Sequence, residues 1–381
     1  MKEYTGWLFD LYLHKDGIVL WLIGDDKKPR SFTQRFSITF YVGGPFHRLR
    51  QLWKFLREKP VNLNRVQRKD LHEGMKDVLE VNVLNPSLFD PLFKEVYQLF
   101  PDLLYYDTDI PLILRYAAHY GVFPLGRCKV EVEQGWTISK ITSLDTPWEL
   151  ESKLPDLRIL ELRPDTNPFH EFPHYIHAHF NRFNYKLPLD NPRQLLFSLN
   201  GILQQFDPDV IVTSYGDTWL FSYLELISKN TGIPFNPNRD MGKPVLKKKE
   251  ISFVNYGQAH YRGEQVHLFG RWHVDDQNCM TYGDYGLTGA IEQARVTGLP
   301  VQEISRRSPG AGIAAMQTLT ALRWNVLVPY QQQKGEVPKT YNQLVASDRG
   351  GLVFEPLLGV FPDVAIIDFM SMYPSVFCKI K

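Results

Sequence analysis

A chain of 381 residues that is 44% hydrophobic can bury two or three cores, which excludes both intrinsic disorder and a single small domain. Its 43 lysines and arginines nearly balance 42 aspartates and glutamates, so the net charge of +1 gives no global attraction to a polyanion, and any nucleic-acid contact has to come from local patches. Cys128, Cys279 and Cys378 form no C-x-x-C pair, and no apolar run approaches the roughly 18 residues that span a bilayer; disulfide frameworks, zinc ribbons and membrane spans are therefore not expected, and the reading is a cytoplasmic protein.

From the start, alternating apolar and polar residues over 7–14, 18–22 and 36–42 predict a small antiparallel sheet, with turns at 15–17 and 43–45. Helical spacing follows at 48–57 and 90–100, so the first unit is α+β. A second pattern begins near Pro155: strands at 157–162 and 175–180, a helix over 192–206 and a buried strand at 210–213, which together predict a mixed sheet flanked by helices. The basic run Lys247, Lys248, Lys249 precedes two strand-like pieces, 251–256 and 265–269, read as a hairpin turning near Arg262 and Gly263; it is either close to DNA or a solvated basic loop. Helical spacing returns over 291–322 with a break at 308–310, and 331–339 reads as a linker.

Four histidines, His170, His174, His177 and His179, lie within ten positions, and alternation puts the last two on one face of a strand. No carboxylate or cysteine is fixed beside them by spacing, so they read as polar-face residues rather than zinc ligands. Near the end, the apolar run 364–367 predicts a buried strand that delivers Asp368 to its carboxyl end, where a carboxylate can meet solvent and a metal.

The string Asp368, Phe369, Met370, Ser371, Met372, Tyr373, Pro374, Ser375 resembles the D-F-x-S-L-Y-P-S signature of the first palm motif of family B DNA polymerases. That resemblance implies that Asp368 is a catalytic ligand of the two magnesium ions used in nucleotidyl transfer. It also implies a nucleotide pocket in which the backbone of Ser371 and Met372 lies near the triphosphate and the Tyr373 ring crowds a ribose 2′-hydroxyl. Gly350 and Gly351 resemble the end of the family's Y-x-G-G segment, which contacts template, although Asp348 stands where the tyrosine belongs.

Residues 206–224 resemble the second exonuclease segment of archaeal-type members, but Tyr215 replaces its catalytic asparagine and Leu220 its metal-binding aspartate. In the segment matching the first exonuclease motif, Glu161 stands for the aspartate and Arg163 for the glutamate. A leucine supplies no oxygen to magnesium, and an arginine repels it. The third motif is matched by 280–284, with Met280 for its tyrosine and Asp284 as its carboxylate; the rival possibility is that Asp165, Asp217 and Asp275 rebuild a metal site. Residues 105–116 are similar to the segment closing the archaeal N-terminal domain, where Arg115 matches an arginine of a template-uracil pocket or serves as a structural ion-pair partner.

The resemblance thus implies an α+β and α/β multidomain protein. Its parts are an N-terminal α+β domain over 1–130, a degenerate RNase H-like exonuclease domain over 131–335, and a linker with the start of the palm over 336–381. The expected function is that of the N-terminal fragment of a DNA-directed DNA polymerase serving replication or repair, unable by itself to polymerise. Expected partners are primer-template DNA and deoxynucleoside triphosphates, with room for a processivity factor and none for a membrane. Magnesium is expected in the full-length enzyme and no metal in the exonuclease-like domain. The alternatives are an active metal-dependent 3′–5′ exonuclease and a non-catalytic DNA-binding half of a split polymerase.

Overall fold

The computed structural model describes the chain apart from residues 1, 16, 72, 134, 256–257, 281, 331–337, 348–353 and 380–381, and the chain divides into two units, residues 1–332 and 333–381. The larger unit is built on three five-stranded sheets. No helix among the described residues is long and apolar enough to cross a membrane.

The first sheet is antiparallel, in the order Pro29–Gln34, Gly17–Gly24, Lys2–His14, Arg127–Val132, Ile138–Ser143. It therefore continues to Ser143, past residue 130. Every residue of Gly17–Gly24 is buried, as its near-continuous apolar run requires. The expected third strand at 36–42 is not in this sheet. Pro29–Gln34 takes that place, with Ile18 opposite Gln34, and proline at the first position of an edge strand forfeits no ladder bond.

Instead Ile38–Gly43 pairs with Gly74–Val83 and Leu104–Tyr106 in a second sheet, completed by Val61–Asp70 and Val326–Leu327. Helices Phe46–Leu56 and Phe89–Leu99 cover one face, and bury Leu52, Leu56, Leu92 and Val96 against Phe40, Val42, Leu79, Val81 and Val83. Both helices lie within two residues of the spans predicted from sequence spacing.

The third sheet runs Phe183–Pro188, Tyr175–Phe180, Ile159–Pro164, Val210–Thr213, Trp272–Asp275. Its first two pairings are antiparallel and its last two parallel, the mixed sheet that an RNase H-like arrangement implies. Asn191 accepts a hydrogen bond from the Gln194 N–H and Pro192 opens the helix Pro192–Phe206, a cap readable from the Asn-Pro pair. That helix and Phe221–Thr231 cover the face carrying Leu160, Leu162, Ile176 and Ile211. The opposite face, with Val210, Val212 and Trp272, packs into the core of the first sheet. The helical stretch expected to break at 308–310 is three helices, Tyr282–Thr297, Val301–Ile304 and Pro309–Arg323.

Trp272 fixes that junction: its ring stacks on Phe9 with centroids 4.1 Å apart, and its Nε1–H donates to the Phe9 carbonyl at 3.1 Å. Beside it the Asp10 carboxylate accepts the Gly270 N–H at 2.7 Å and the Leu11 N–H at 2.9 Å. Burial outweighs these bonds and pushes the Asp10 carboxyl up to about 7. A carboxyl whose folded pKa lies above its unfolded value binds its proton more tightly in the native state. Its contribution to stability is full below the unfolded pKa near 4 and is lost as pH rises through about 7. Denaturant titrations of the wild type and Asp10→Asn at pH values spanning this window are expected to show the stability difference shifting against the wild type by on the order of 1–4 kcal/mol. A difference independent of pH would remove Asp10 as the titrating group.

Candidate functional site

Parallel pairing aligns the carboxyl ends of three strands of the third sheet: Leu162 lies beside Thr213, and Thr213 beside Asp275. The residues one step further on, Arg163, Ser214 and Asp276, therefore form a row along one edge. The Arg163 guanidinium donates to Glu161 at 3.2 Å, to the Ser214 hydroxyl at 2.9 Å and to Asp276, while the Ser214 hydroxyl donates to Asp276 at 2.9 Å. Burial disfavours the Arg163 charge, but Asp276 and Glu161 outweigh it and hold the guanidinium protonated. Tyr282 stands half-buried beside this cluster, its hydroxyl pushed up by burial and by the charges of Glu161 and Asp276.

The other expected positions fall around this edge. Leu220 is wholly buried in the apolar cluster under the sheet, so its side chain belongs to the core. Tyr215 has a left-handed backbone, φ 63°, and its ring meets the edge of Phe169 at 5.9 Å. It opens the wide helical turn Gly216–Leu220. A Cβ at Gly216 would come within 2.0 Å of the Thr213 hydroxyl, so only glycine fits there. Asp284 is exposed near the start of Tyr282–Thr297; the residues that reach the Glu161–Arg163 pair are Asp276 and Tyr282, which sequence reasoning missed. Asp276 was within reach: it lies one residue past the buried strand whose last residue is Asp275, in the row set by parallel register.

The acids proposed to rebuild a metal site are otherwise engaged. Asp217 is fully buried and accepts from Arg306 Nε at 2.7 Å and Nη2 at 3.0 Å, from the Val266 N–H at 2.7 Å and from Asn278 at 2.8 Å. Burial raises its pKa, but the Arg306 charge and the hydrogen bonds from Arg306 and the Val266 N–H outweigh it, so it stays ionised below the usual carboxylate range. Asp275 accepts the backbone N–H groups of Tyr215, Asp217 and Gln277, and burial, with the Asp217 charge, lifts it to about 6. Asp165 accepts the N–H groups of His174 and Tyr175. His177 and His179 lie on the exposed face of Tyr175–Phe180, opposite Arg163 and Glu161 in register. Among the described residues no three His, Cys, Asp or Glu side chains are grouped to hold a metal ion.

Arg115 is buried, and its guanidinium donates to the carbonyls of Ile110 at 3.1 Å, Thr39 at 2.8 Å and Asp107, with the Phe89 ring 5.2 Å away. Its hydrogen bonds thus go to backbone rather than to a carboxylate. Leu246–Lys248 pairs with Gln265–His267, and Ile251–Asn255 with Gln258–Arg262. The expected pairing of 251–256 with 265–269 is corrected to this one. Lys247 donates to Glu225 at 2.6 Å, and Lys249 is exposed.

In the smaller unit, helices Tyr341–Ser347 and Met372–Lys379 are the regular elements among the described residues. The strand expected at 364–367 is absent, and Ile366 and Ile367 are 96% and 88% exposed. An apolar run becomes a buried strand only against neighbouring strands that take up its N–H and C=O groups, and none of the described residues of this unit supplies one. Asp368 is exposed and accepts its neighbour's N–H, from Phe369, at 2.8 Å. Ser371, at φ 55°, leads into the helix that Met372 and Tyr373 open, and all three are exposed. Gly350, Gly351 and Asp348 lie outside the described residues.

Removing one partner of a buried ion pair strands the other charge, which costs about 3–5 kcal/mol. Asp217→Ala is expected to lose stability on that scale in urea unfolding, and a double variant with Arg306→Met to recover part of it. A double variant no better than Asp217→Ala would show that the pair is not the source.

No protein-family model matches the chain. It is 24% identical to a DNA polymerase of Pyrococcus horikoshii over 234 residues, 49% of this chain and 19% of that protein. It is 21% identical to DNA polymerase 3 of Saccharolobus shibatae over 377 residues, 83% of this chain and 48% of that protein. The fold matches the family B DNA polymerase of Pyrobaculum calidifontis with a TM-score of 0.64 at 16% identity, covering 88% of this chain and 53% of that one. The chain thus spans half or less of the length of these curated relatives. It is thus similar in sequence to archaeal DNA polymerases and in fold to an archaeal family B DNA polymerase.

Proposed function

We propose that this chain serves template-directed DNA synthesis as part of a family B DNA polymerase, and that its middle domain supports DNA without trimming it. The observation that carries this reading is the Arg163 guanidinium bonded to Glu161, Ser214 and Asp276 at the edge where two divalent cations would need oxygen ligands. A fixed positive charge there repels a metal and occupies the carboxylates that would bind it. Leu220, buried in the core, removes a further ligand.

In the palm segment, Asp368 is the carboxylate that would bind magnesium, and Ser371, Met372 and Tyr373 would border the nucleotide. Two-metal transfer needs carboxylates from separate segments, so Asp368 acts only together with others. Primer-template DNA and deoxynucleoside triphosphates are the partners that go with this reading, in a cytoplasmic setting.

Incubation with an end-labelled single strand and Mg²⁺ or Mn²⁺ is expected to leave the strand at full length. Shortening that disappears in Glu161→Gln or Asp284→Asn would overturn the reading in favour of an active nuclease. In parallel, Mn²⁺ titration followed by electron paramagnetic resonance is expected to show no ion held by Glu161 and Asp276 in the wild type. Weak binding should appear in Arg163→Ala, where both carboxylates are freed. Binding by the wild type that Glu161→Gln abolishes would contradict the proposed role of Arg163.

A further inference from the structure

Between helix Phe46–Leu56 and the arm formed by Val61–Asp70 and Gly74–Val83 runs an open groove of about 510 Å³. Phe46, Leu49, Arg50 and Trp53 line one wall at the i, i+3, i+4, i+7 spacing of a single helix face, and Arg65 and Asp77 of the arm line the other. The aligned pairing explains why the groove exists. Arg65 lies opposite Leu79, on the same face of the sheet, and beyond Leu79 the arm outruns the helices that cover Val81 and Val83.

Two features give the groove its chemistry. The first is exposed aromatic surface: Phe46 is 72% and Trp53 37% accessible, and no other ring stacks on Trp53 among the described residues. The second is charge. Residues 43–57 carry Arg48, Arg50, Lys54 and Arg57 and no acid, in a chain whose net charge is only +1. Arg50 is exposed, with no ion-pair partner among the described residues. The one acid in the groove, Asp77, pairs with Arg65 at 3.0 Å where both side chains are more than half exposed, a contact worth little that yields readily to another anion.

We propose that this groove binds single-stranded DNA, with a base stacked on Trp53 and the flanking phosphates on Arg50 and Arg65. Aromatic platforms beside cations suit a strand whose bases are unstacked, because a duplex hides the faces that Trp53 and Phe46 would meet. A polyanion without rings would satisfy the arginines and leave the apolar wall wet. The proposal rests on the reading of the chain as part of a DNA polymerase, and assigns that reading a contact surface on a different sheet from the Arg163 edge.

Anisotropy of a fluorescein-labelled oligodeoxythymidine tests it, with the full chain at low salt. Trp53→Ala is expected to weaken binding about 5- to 100-fold, and Trp53→Phe to restore much of it. Arg50→Glu should weaken binding further and flatten the dependence on salt by close to one phosphate contact. Thermal unfolding of each variant separates these losses from misfolding: Arg50→Glu, at an exposed position, is expected to unfold as the wild type does, and Trp53→Phe keeps the ring where Trp53→Ala loses packing. If the wild type binds the oligonucleotide and all three variants bind equally well, the groove is not the site, while the reading as a DNA-handling protein stands. If the wild type binds none, both fall. If polyglutamate displaces the oligonucleotide as well as unlabelled oligodeoxythymidine does, the occupant is an acidic peptide and the proposal is overturned.

Discussion

A parallel sheet brings whatever follows its strands to one edge, and the register of Ile159–Pro164, Val210–Thr213 and Trp272–Asp275 decides which side chains meet there. At this edge they are a guanidinium, a hydroxyl and a carboxylate, with Glu161 one turn of the pleat behind. Arg163 makes the edge self-sufficient: it satisfies the carboxylates by hydrogen bonds that need no ion. A divalent cation entering here would have to displace a tethered charge already bonded to both acids, at the cost of repulsion over a few ångströms. The charges at this edge are therefore balanced within the protein itself.

Behind the edge, buried charge holds loops together. Asp217 gathers Arg306, Val266 and Asn278 from three separate segments, and Gln302 adds a second tie by accepting the N–H groups of both Leu268 and His273. His273 is held near-neutral, its pKa lowered to about 4 by burial, with its imidazole bonded to Thr213 and to the Val266 carbonyl. At the amino-terminal ends of the same strands Arg158, Arg239 and Arg271 converge on Asp207, with Arg158 and Arg239 also reaching Asp209. Acids that a linear inspection would offer as ligands are consumed in satisfying buried arginines and backbone N–H groups, as the cost of an unpaired buried charge demands.

The sequence made element type legible and partners less so. Tyr175–Phe180 and Val210–Thr213 coincide with their expected spans because alternation and apolar continuity are local signals. Residues 36–42 also announced a strand, yet nothing local says which sheet a strand joins, and Ile38–Gly43 went to the second sheet. The same limit hid Asp276, whose meeting with Arg163 depends on register across three strands. It misplaced the hairpin partner of Ile251–Asn255 as well. At 364–367 the local signal was sound, but a strand is a property of a pair, and the described residues of that unit hold no second member.

Burial differs sharply between the side chains at this edge and those beneath it. Glu161 and Arg163 have side chains 37% and 42% exposed, so substitution there touches little of the packing that holds the sheet. Leu220 is different, being wholly buried between the two helices and the sheet. A leucine so placed contributes about 1.5–3 kcal/mol of burial, where a carboxylate would have to be desolvated and then paired. At that position the core gains what a metal site would lose. That apolar cluster offers an aspartate at 220 no partner, while Glu161 and Asp276 are already held by Arg163.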